Sequence, residues 1–420
     1  MDKLRVGVVG LYRGKAMIQY LLRASNAELV ALYEIRPERL EKVKNELHDP
    51  SIGCYSDYSE FLEHPMDAVV LANYATEHAP LAICALDKGL HVFSEVMPCR
   101  TMAEAVQLIE AVERSKAKYC YLENFCYMPV NMEMRSLYLQ GKLGEFLYGE
   151  GEYIHNCETL WPDITYGDPT HWRNNVHACF YCSHSVGPLL HATGLRPVSV
   201  TGFELPHTNL VFRCGAKRGS AAIEMVTMEN GGVIKSIHGD LYRNSEWFCL
   251  NGEKGRIESA REDADQGGAS RVYLNVDPYE GAYAPEPVIS YRPTQPDHWD
   301  SNGFQHHRAD YYCMWHAVEY VLGNPDAHIV DVYEAVTCLW WDTLPIIPCW
   351  TAESLKPSPT CGTLPKGRLS EMTITVPIQK SPEISCCPVT PREIRRSPIL
   401  SIRQYGKNGC SINRKAGERA

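Results

Sequence analysis

Two spacings of apolar residues alternate through residues 4–122. Leu4–Gly10 is a short run rich in valine, and from Lys15 to Ala24 the apolar positions fall three and four apart. A short β-branched run fits a strand buried on both faces, and the wider spacing fits a helix with one face inward. The strand pattern returns at Glu28–Tyr33, Ala68–Ala72, His91–Ser94 and Lys118–Leu122. The helical pattern returns at Leu40–Leu47, Ala79–Lys88 and Met102–Ser115. Repeated β-α units of this length predict an α/β domain built on a doubly wound parallel sheet.

The pattern then changes. Pro129–Gln140 reads as a helix and Gly144–Ile154 as a long strand. Short alternating segments follow at Val198–Glu204, Asn209–Phe212, Ser220–Thr227, Gly232–His238, Glu246–Asn251, Gly255–Ser259 and Ser270–Leu274. Alternation of this kind predicts a mostly antiparallel sheet with one open face. Ala309–Leu322 and Val332–Thr343 read as helices, making the second domain α+β. From about Leu355 proline, serine, cysteine and arginine dominate without periodicity, apart from a short strand-like run at Met372–Pro377. The expected division is 1–122, 123–354, and a partly disordered basic tail over 355–420.

Composition narrows the function classes. The 420 residues are 45% apolar, enough for two cored domains. A net charge of -10 and a pI near 5.9 offer no general basic surface for nucleic acid. No apolar run approaches the roughly eighteen residues a membrane helix needs. The N-terminus starts a strand at once without a signal-peptide core, so the seventeen scattered cysteines read as reduced thiols of a cytoplasmic protein.

Strand, glycine turn, helix, strand and acid form the unit that binds a dinucleotide, the Rossmann arrangement. Gly10 and Gly14 make the turn, with Tyr12 where a second glycine usually lets backbone reach phosphate. Arg13 is expected to offset phosphate charge, and Glu34 to bond the ribose hydroxyls and repel a 2′-phosphate, favouring NAD over NADP. Ligands on such sheets lie at the carboxyl ends of the strands, which gathers Asn73, Tyr74, Glu95, Glu123 and Asn124 around one crevice. A second concentration of polar chemistry runs from His171 to His191 and contains four histidines, Tyr181 and Arg173. Ser185 is expected to cap the helix that follows, with Pro188 in its first turn and Gly194 at its end. Tyr181 and His184 then sit at or just before a helix N-terminus.

The run from Asp67 to Val96 resembles the Gfo/Idh/MocA oxidoreductases: a third strand, a helix starting His78-x-Pro80, and a strand leading to their Glu-Lys-Pro motif. Here Glu95-Val96-Met97 stands in place of Glu-Lys-Pro, so the family lysine is missing. The NAD-dependent α-N-acetylgalactosaminidases of that superfamily also carry valine there. Tyr121–Tyr127, Gly149–His155, His171–Arg173 and Phe180–Pro188 are similar to further segments of that branch. The resemblance implies that Tyr153, His155, Tyr181 and His184 are active-site residues, and that Asn73, His78, Glu95, Asn124, Trp172 and Arg173 adjoin the cofactor. Cys182 and Ser185 depart from it, replacing a proline and a glycine. At His306-His307-Arg308 the family's sugar enzymes often have a histidine and two glycines, which leaves His306 a weaker candidate. The open sheet face, often used for oligomer contacts in the family, implies a homo-oligomer.

The expected activity is NAD-dependent hydride transfer on a carbohydrate, with His184 or Tyr181 as general base. An alternative is net glycoside hydrolysis by oxidation, elimination, hydration and reduction, which needs no pair of catalytic carboxylates. A non-catalytic NAD sensor is a further alternative, suggested by Tyr12 and Val96. His177, Cys179, Cys182 and His184 have zinc-ligand character, but four ligands within eight residues are cramped for a tetrahedral site, and no metal is expected.

Overall fold

The computed structural model describes residues 3–206, 215–263, 270–276, 288–296, 300–338 and 347–348. The expected strands at Asn209–Phe212 and Met372–Pro377, and the tail from 355, lie outside the described residues.

The first sheet is built from β1 (Leu4–Val9), β2 (Ala27–Tyr33), β3 (Gly53–Tyr55), β4 (Ala68–Leu71), β5 (His91–Ser94) and β6 (Tyr119–Tyr121). They lie in the order β3-β2-β1-β4-β5-β6, all parallel. Val6, Val8, Val9 and the whole of β4 are shielded from water, as strands covered on both faces should be. Helices α1 (Lys15–Leu21), α2 (Pro37–Leu47), α3 (Tyr58–Phe61), α4 (His78–Asp87) and α5 (Met102–Arg114) connect them. Thr101 and Glu104 form a capping box that starts α5. Neither β3 nor α3 was legible in the pattern, because each is only three or four residues long.

Helix α6 (Pro129–Leu139) leads to β7 (Phe146–Ile154), and α7 (Trp161–Thr165) precedes α8 (Ser183–Thr193). There follow β8 (Pro197–Glu204), β9 (Ala221–Met228), β10 (Val233–Gly239), β11 (Ser245–Gly252), β12 (Gly255–Ser259), β13 (Val272–Asn275) and β14 (Ile289–Tyr291). Helices α9 (Ala309–Val321) and α10 (Val332–Thr337) and the two-residue β15 (Ile347–Pro348) come last among the described residues. The second sheet has nine strands in the order β14-β13-β12-β11-β7-β10-β9-β8-β15. Its pairs are antiparallel except β7 with β10 and β8 with β15.

Helix α8 lies directly on this sheet because β7 carries glycines under it. A Cβ on Gly151 would stand 1.8 Å from the Ser185 carbonyl oxygen, and one on Gly149 would touch Leu189. Ser185 does not cap α8 as expected. The helix begins two residues earlier, and the Ser185 hydroxyl donates to the Cys182 carbonyl at 2.8 Å and meets Ser236 of β10. Pro188 is accordingly inside the helix, and Gly194 ends it in the left-handed region at φ 66°. On the opposite face of the sheet Phe203 and Met225 are exposed among the described residues.

Candidate active site

The loop after β6 and the first turn of α8 meet in one charge-assisted hydrogen bond. His184 Nδ1 lies 2.5 Å from Glu123 Oε1, and both residues are buried. A carboxylate only accepts, so Nδ1 carries the proton and Nε2 keeps its lone pair. The imidazole is walled by Phe125, Tyr153 and Tyr181, with ring centroids at 4.7, 4.7 and 5.3 Å. Tyr153 Oη is 3.0 Å from His155 Nδ1, and Cys157 Sγ is 3.4 Å from the same nitrogen. Burial pushes the Tyr153 hydroxyl well above its usual pKa and holds His155 below its own. The Arg173 guanidinium sits over Trp172 at 4.5 Å and over Tyr181 at 5.1 Å, and donates weakly to the Tyr181 oxygen at 3.4 Å. All four residues expected to do chemistry, Tyr153, His155, Tyr181 and His184, therefore stand in one cluster.

The dinucleotide turn has the geometry it needs. Gly10 takes φ 83°, and a Cβ there would stand 2.6 Å from the Asn73 backbone. Glu34 is buried and already aimed: Leu11 N–H donates to Oε2 at 3.0 Å and Arg36 N–H to Oε1 at 3.1 Å. Around it, Arg36 lies over the Tyr166 ring at 3.5 Å and Arg39 donates to the Tyr166 hydroxyl at 2.5 Å, so the loop after α7 closes over this end of the crevice. Tyr12 is exposed beneath Arg39. Asn73 Oδ1, Asn124 Oδ1 and Trp172 Nε1 are buried without a hydrogen-bond partner among the described residues. Buried polar atoms left open in this way are what a bound polar ligand satisfies. The residues present fit a dinucleotide.

One cofactor expectation needs correction. Arg13 does not point into the turn as a phosphate counter-charge. It donates to both oxygens of Asp310 on α9, at 3.1 and 2.6 Å, and lies 2.8 Å from Glu95. Burial alone would push both carboxyls up, and it leaves Glu95 raised; for Asp310 the bonds from His306 and Arg13 outweigh it and hold the group below the usual carboxylate range. His78 is wholly buried, and its Nε2 has no hydrogen-bond partner among the described residues. Its Nδ1 donates to the Met97 carbonyl at 2.8 Å, bracing the loop after β5, and burial pushes it down to about 4. Val96, in the place of the missing lysine, is packed into the core.

Sequence reasoning had placed Glu123 in the crevice without its histidine. It missed Asp310 and Phe125 altogether. The spacing of His306 and Asp310, four apart at a helix start, was the one signal for that pair. Among the described residues no group of three or more His, Cys, Asp or Glu side chains is placed to hold a metal. His184 is turned to Glu123, and the Cys182 thiol to the Cys338 carbonyl.

A doubly wound parallel sheet, a glycine turn facing a buried acid, and a histidine–carboxylate pair at the sheet's carboxyl edge are the features of a dinucleotide-binding fold. Residues 4–122 match the Gfo/Idh/MocA model, described as an oxidoreductase family with an NAD-binding Rossmann fold. The chain is 30% identical to glycosyl hydrolase family 109 protein 4 of Phocaeicola vulgatus over 314 residues, covering 66% of this chain and 60% of the relative. With glycosyl hydrolase family 109 protein 1 of Bacteroides fragilis it shares 30% over 197 residues, 45% of this chain and 42% of the relative. The chain thus spans less than two thirds of these relatives. Among solved structures, the aldose-aldose oxidoreductase of Caulobacter crescentus complexed with glycerol aligns with a TM-score of 0.64 at 18% identity, covering 80% of this chain and 95% of the other. An inositol dehydrogenase homolog of Azotobacter vinelandii complexed with NADH and myo-inositol gives 0.62 at 17%, covering 81% and 93%. These two share the fold.

Proposed function

We propose that the protein is an NAD-dependent oxidoreductase that moves hydride on a carbohydrate, whether sugar, glycoside or cyclitol. The observation that carries this reading is the Glu123–His184 pair, which keeps a basic imidazole nitrogen at the edge of a dinucleotide fold. The bound nicotinamide would accept hydride from a carbinol carbon and return it. Glu34, Asn73, Asn124 and Trp172 would hold the cofactor. His184 Nε2 takes the hydroxyl proton as the carbonyl forms, and Glu123 stabilises the resulting imidazolium. Tyr181, beneath the Arg173 charge, is a second group able to move a proton.

A second reading is net hydrolysis of a glycoside. It is supported by Val96 in the lysine position, by the names of the relatives, and by proton-handling groups in excess of what plain oxidation requires. A carbonyl at C3 acidifies the C2 proton; a base removes it, the glycosidic bond breaks, water adds, and the hydride goes back. The sheet face that carries the exposed Phe203 and Met225 supports a homo-oligomer. The free thiols support a reducing, cytoplasmic setting, and no helix of the described residues is long and apolar enough to cross a membrane.

The test measures dinucleotide released on denaturing the purified protein, then incubates it with nitrophenyl glycosides, sugars and cyclitols in deuterated water. Deuterium at C2 without net NADH supports the hydrolytic cycle. Stoichiometric NADH with C2 still protonated leaves a dehydrogenase. A protein that binds dinucleotide and turns over none of these compounds is a sensor, and the enzymatic reading fails.

A further inference from the structure

Across Phe125 from His184 stands a second histidine–carboxylate pair. His306 Nδ1 lies 3.0 Å from Asp310 Oδ2, and Asp310 is buried. The carboxylate is gripped from two further directions: Arg13 reaches it from the first domain, and the Asn124 amide donates to Oδ1 at 2.8 Å. As in the first pair, the acceptor-only partner sets Nδ1 as donor and leaves the lone pair on Nε2. Both imidazoles pack on one phenyl ring, at centroid distances of 4.7 Å for His184 and 6.2 Å for His306. The His306 side chain is 33% exposed, open enough to meet a ligand.

The backbone that presents it is strained. His306, His307 and Arg308 all take positive φ, at 52°, 53° and 69°. Each such non-glycine residue costs on the order of 1 kcal/mol. The run persists because its ends are held: His307 Nε2 pairs with Glu246 on β11 at 3.2 Å, and Arg308 is the N-cap residue of α9. Its result is that His306 leaves the helix axis while Asp310, in the first turn, stays behind its Nδ1.

We propose that His306, oriented by Asp310, is a second catalytic base of this site, serving a carbon acid while His184 serves the hydroxyl. The proposal rests on the glycoside-elimination reading. Once the carbinol is oxidised by the nicotinamide dinucleotide, His306 Nε2 accepts the proton from the adjacent C2. The C–H electron pair becomes the C1–C2 double bond, and the C1–O bond breaks with its pair leaving on the aglycone oxygen, which takes up a proton. Two bases are required because the hydroxyl and C–H protons leave different atoms, and a single imidazole already protonated by the first cannot accept the second.

His306→Gly is the variant of choice, since glycine takes a φ of 52° without strain. In the full chain loaded with NAD and given a nitrophenyl glycoside, single-turnover absorbance follows the hydride step and NMR follows deuterium entering C2. Exchange at C2 is expected to fall about 10²–10⁴-fold, at least tenfold more than the hydride step, and added imidazole is expected to restore it. Unchanged exchange, or equal loss of both steps with no imidazole rescue, overturns the proposal. A wild-type protein that reduces NAD but never exchanges C2 overturns it together with the elimination reading, while plain hydride transfer stands. A substrate-free arm decides independently: long-range ¹H–¹⁵N spectra of the neutral ring, recorded along a pH titration and assigned by loss of the signal in His306→Gly, should show the proton on Nδ1. A neutral His306 that carries its proton on Nε2 sinks the base.

Discussion

At the scale of single residues, the site works by fixing which atom of a side chain is free. Glu123 accepts the hydrogen bond from His184 Nδ1–H, so the chemistry of that imidazole is confined to Nε2. His184→Ala and Tyr181→Phe are each expected to lower turnover about 10²–10⁴-fold, the usual worth of a positioned acid or base. Steady-state assays on whichever carbohydrate is turned over check this. Glu34 shows the same economy at the cofactor end, where backbone N–H groups of Leu11 and Arg36 hold the carboxylate in place. Glu34→Ala is expected to weaken NAD by roughly 1–3 kcal/mol, the cost of charge-assisted bonds left unmade. Calorimetry with NAD and NADP checks it, and tighter NADP binding to the wild type would remove Glu34 from that role.

At the scale of elements, close approach of helix to sheet places the candidate catalytic groups. Gly151 on β7 lets α8 descend onto the sheet and brings His184 beside Tyr153. Gly151→Ala must push Ser185 away, and is expected to destabilise the protein by about 1–3 kcal/mol, as overpacking does. Urea unfolding measures that loss; an unchanged midpoint would mean the helix shifts freely. Histidines locked between elements respond to acid. Burial pushes His78, under the loop after β5, to about 4 and His316, on α9, to about 3, from an ordinary 6.5. Such groups bind protons in the unfolded chain before the folded one, so stability falls as pH drops below about 6.5. The loss is on the order of 1.4 kcal/mol per pH unit for each histidine until its folded value is reached. Melting curves between pH 7 and 4.5 should show a falling Tm, with a shallower slope in His78→Asn.

At the scale of the whole molecule, the network Arg13–Asp310–Asn124 ties the turn after β1 to α9 and to the loop after β6. Elements almost three hundred residues apart are thereby set around one crevice. The sheet face opposite α8 is the other large-scale feature, and its exposed Met225 and Phe203 lie on neighbouring strands. If this face joins subunits, Met225→Glu places a charge in the contact, and sedimentation velocity should show a shift toward monomer. A wild type that is itself monomeric at micromolar concentration would overturn that assembly.

The sequence by itself determined the alternating strands and helices of residues 4–122 apart from the short β3 and α3, because buried strands read as apolar runs and the longer helices show their period. Residue type and local spacing also carried the glycine turn and Glu34, while the set Tyr153, His155, Tyr181 and His184 came from the family resemblance of the segments around them. Only the tertiary structure decided the partners. Glu123 and His184 lie 61 residues apart, and Arg13 and Asp310 lie 297 apart. No local pattern relates residues so far apart. The start of α8 was misread for the same reason: Ser185 looks like a cap, but its hydroxyl is used against β10, a contact that exists only once the sheet has formed. Arg13 was misassigned because a charge beside a phosphate turn looks the same in sequence whether it faces a ligand or a buried neighbour. Burial and pairing make that distinction, and both are properties of the packed chain.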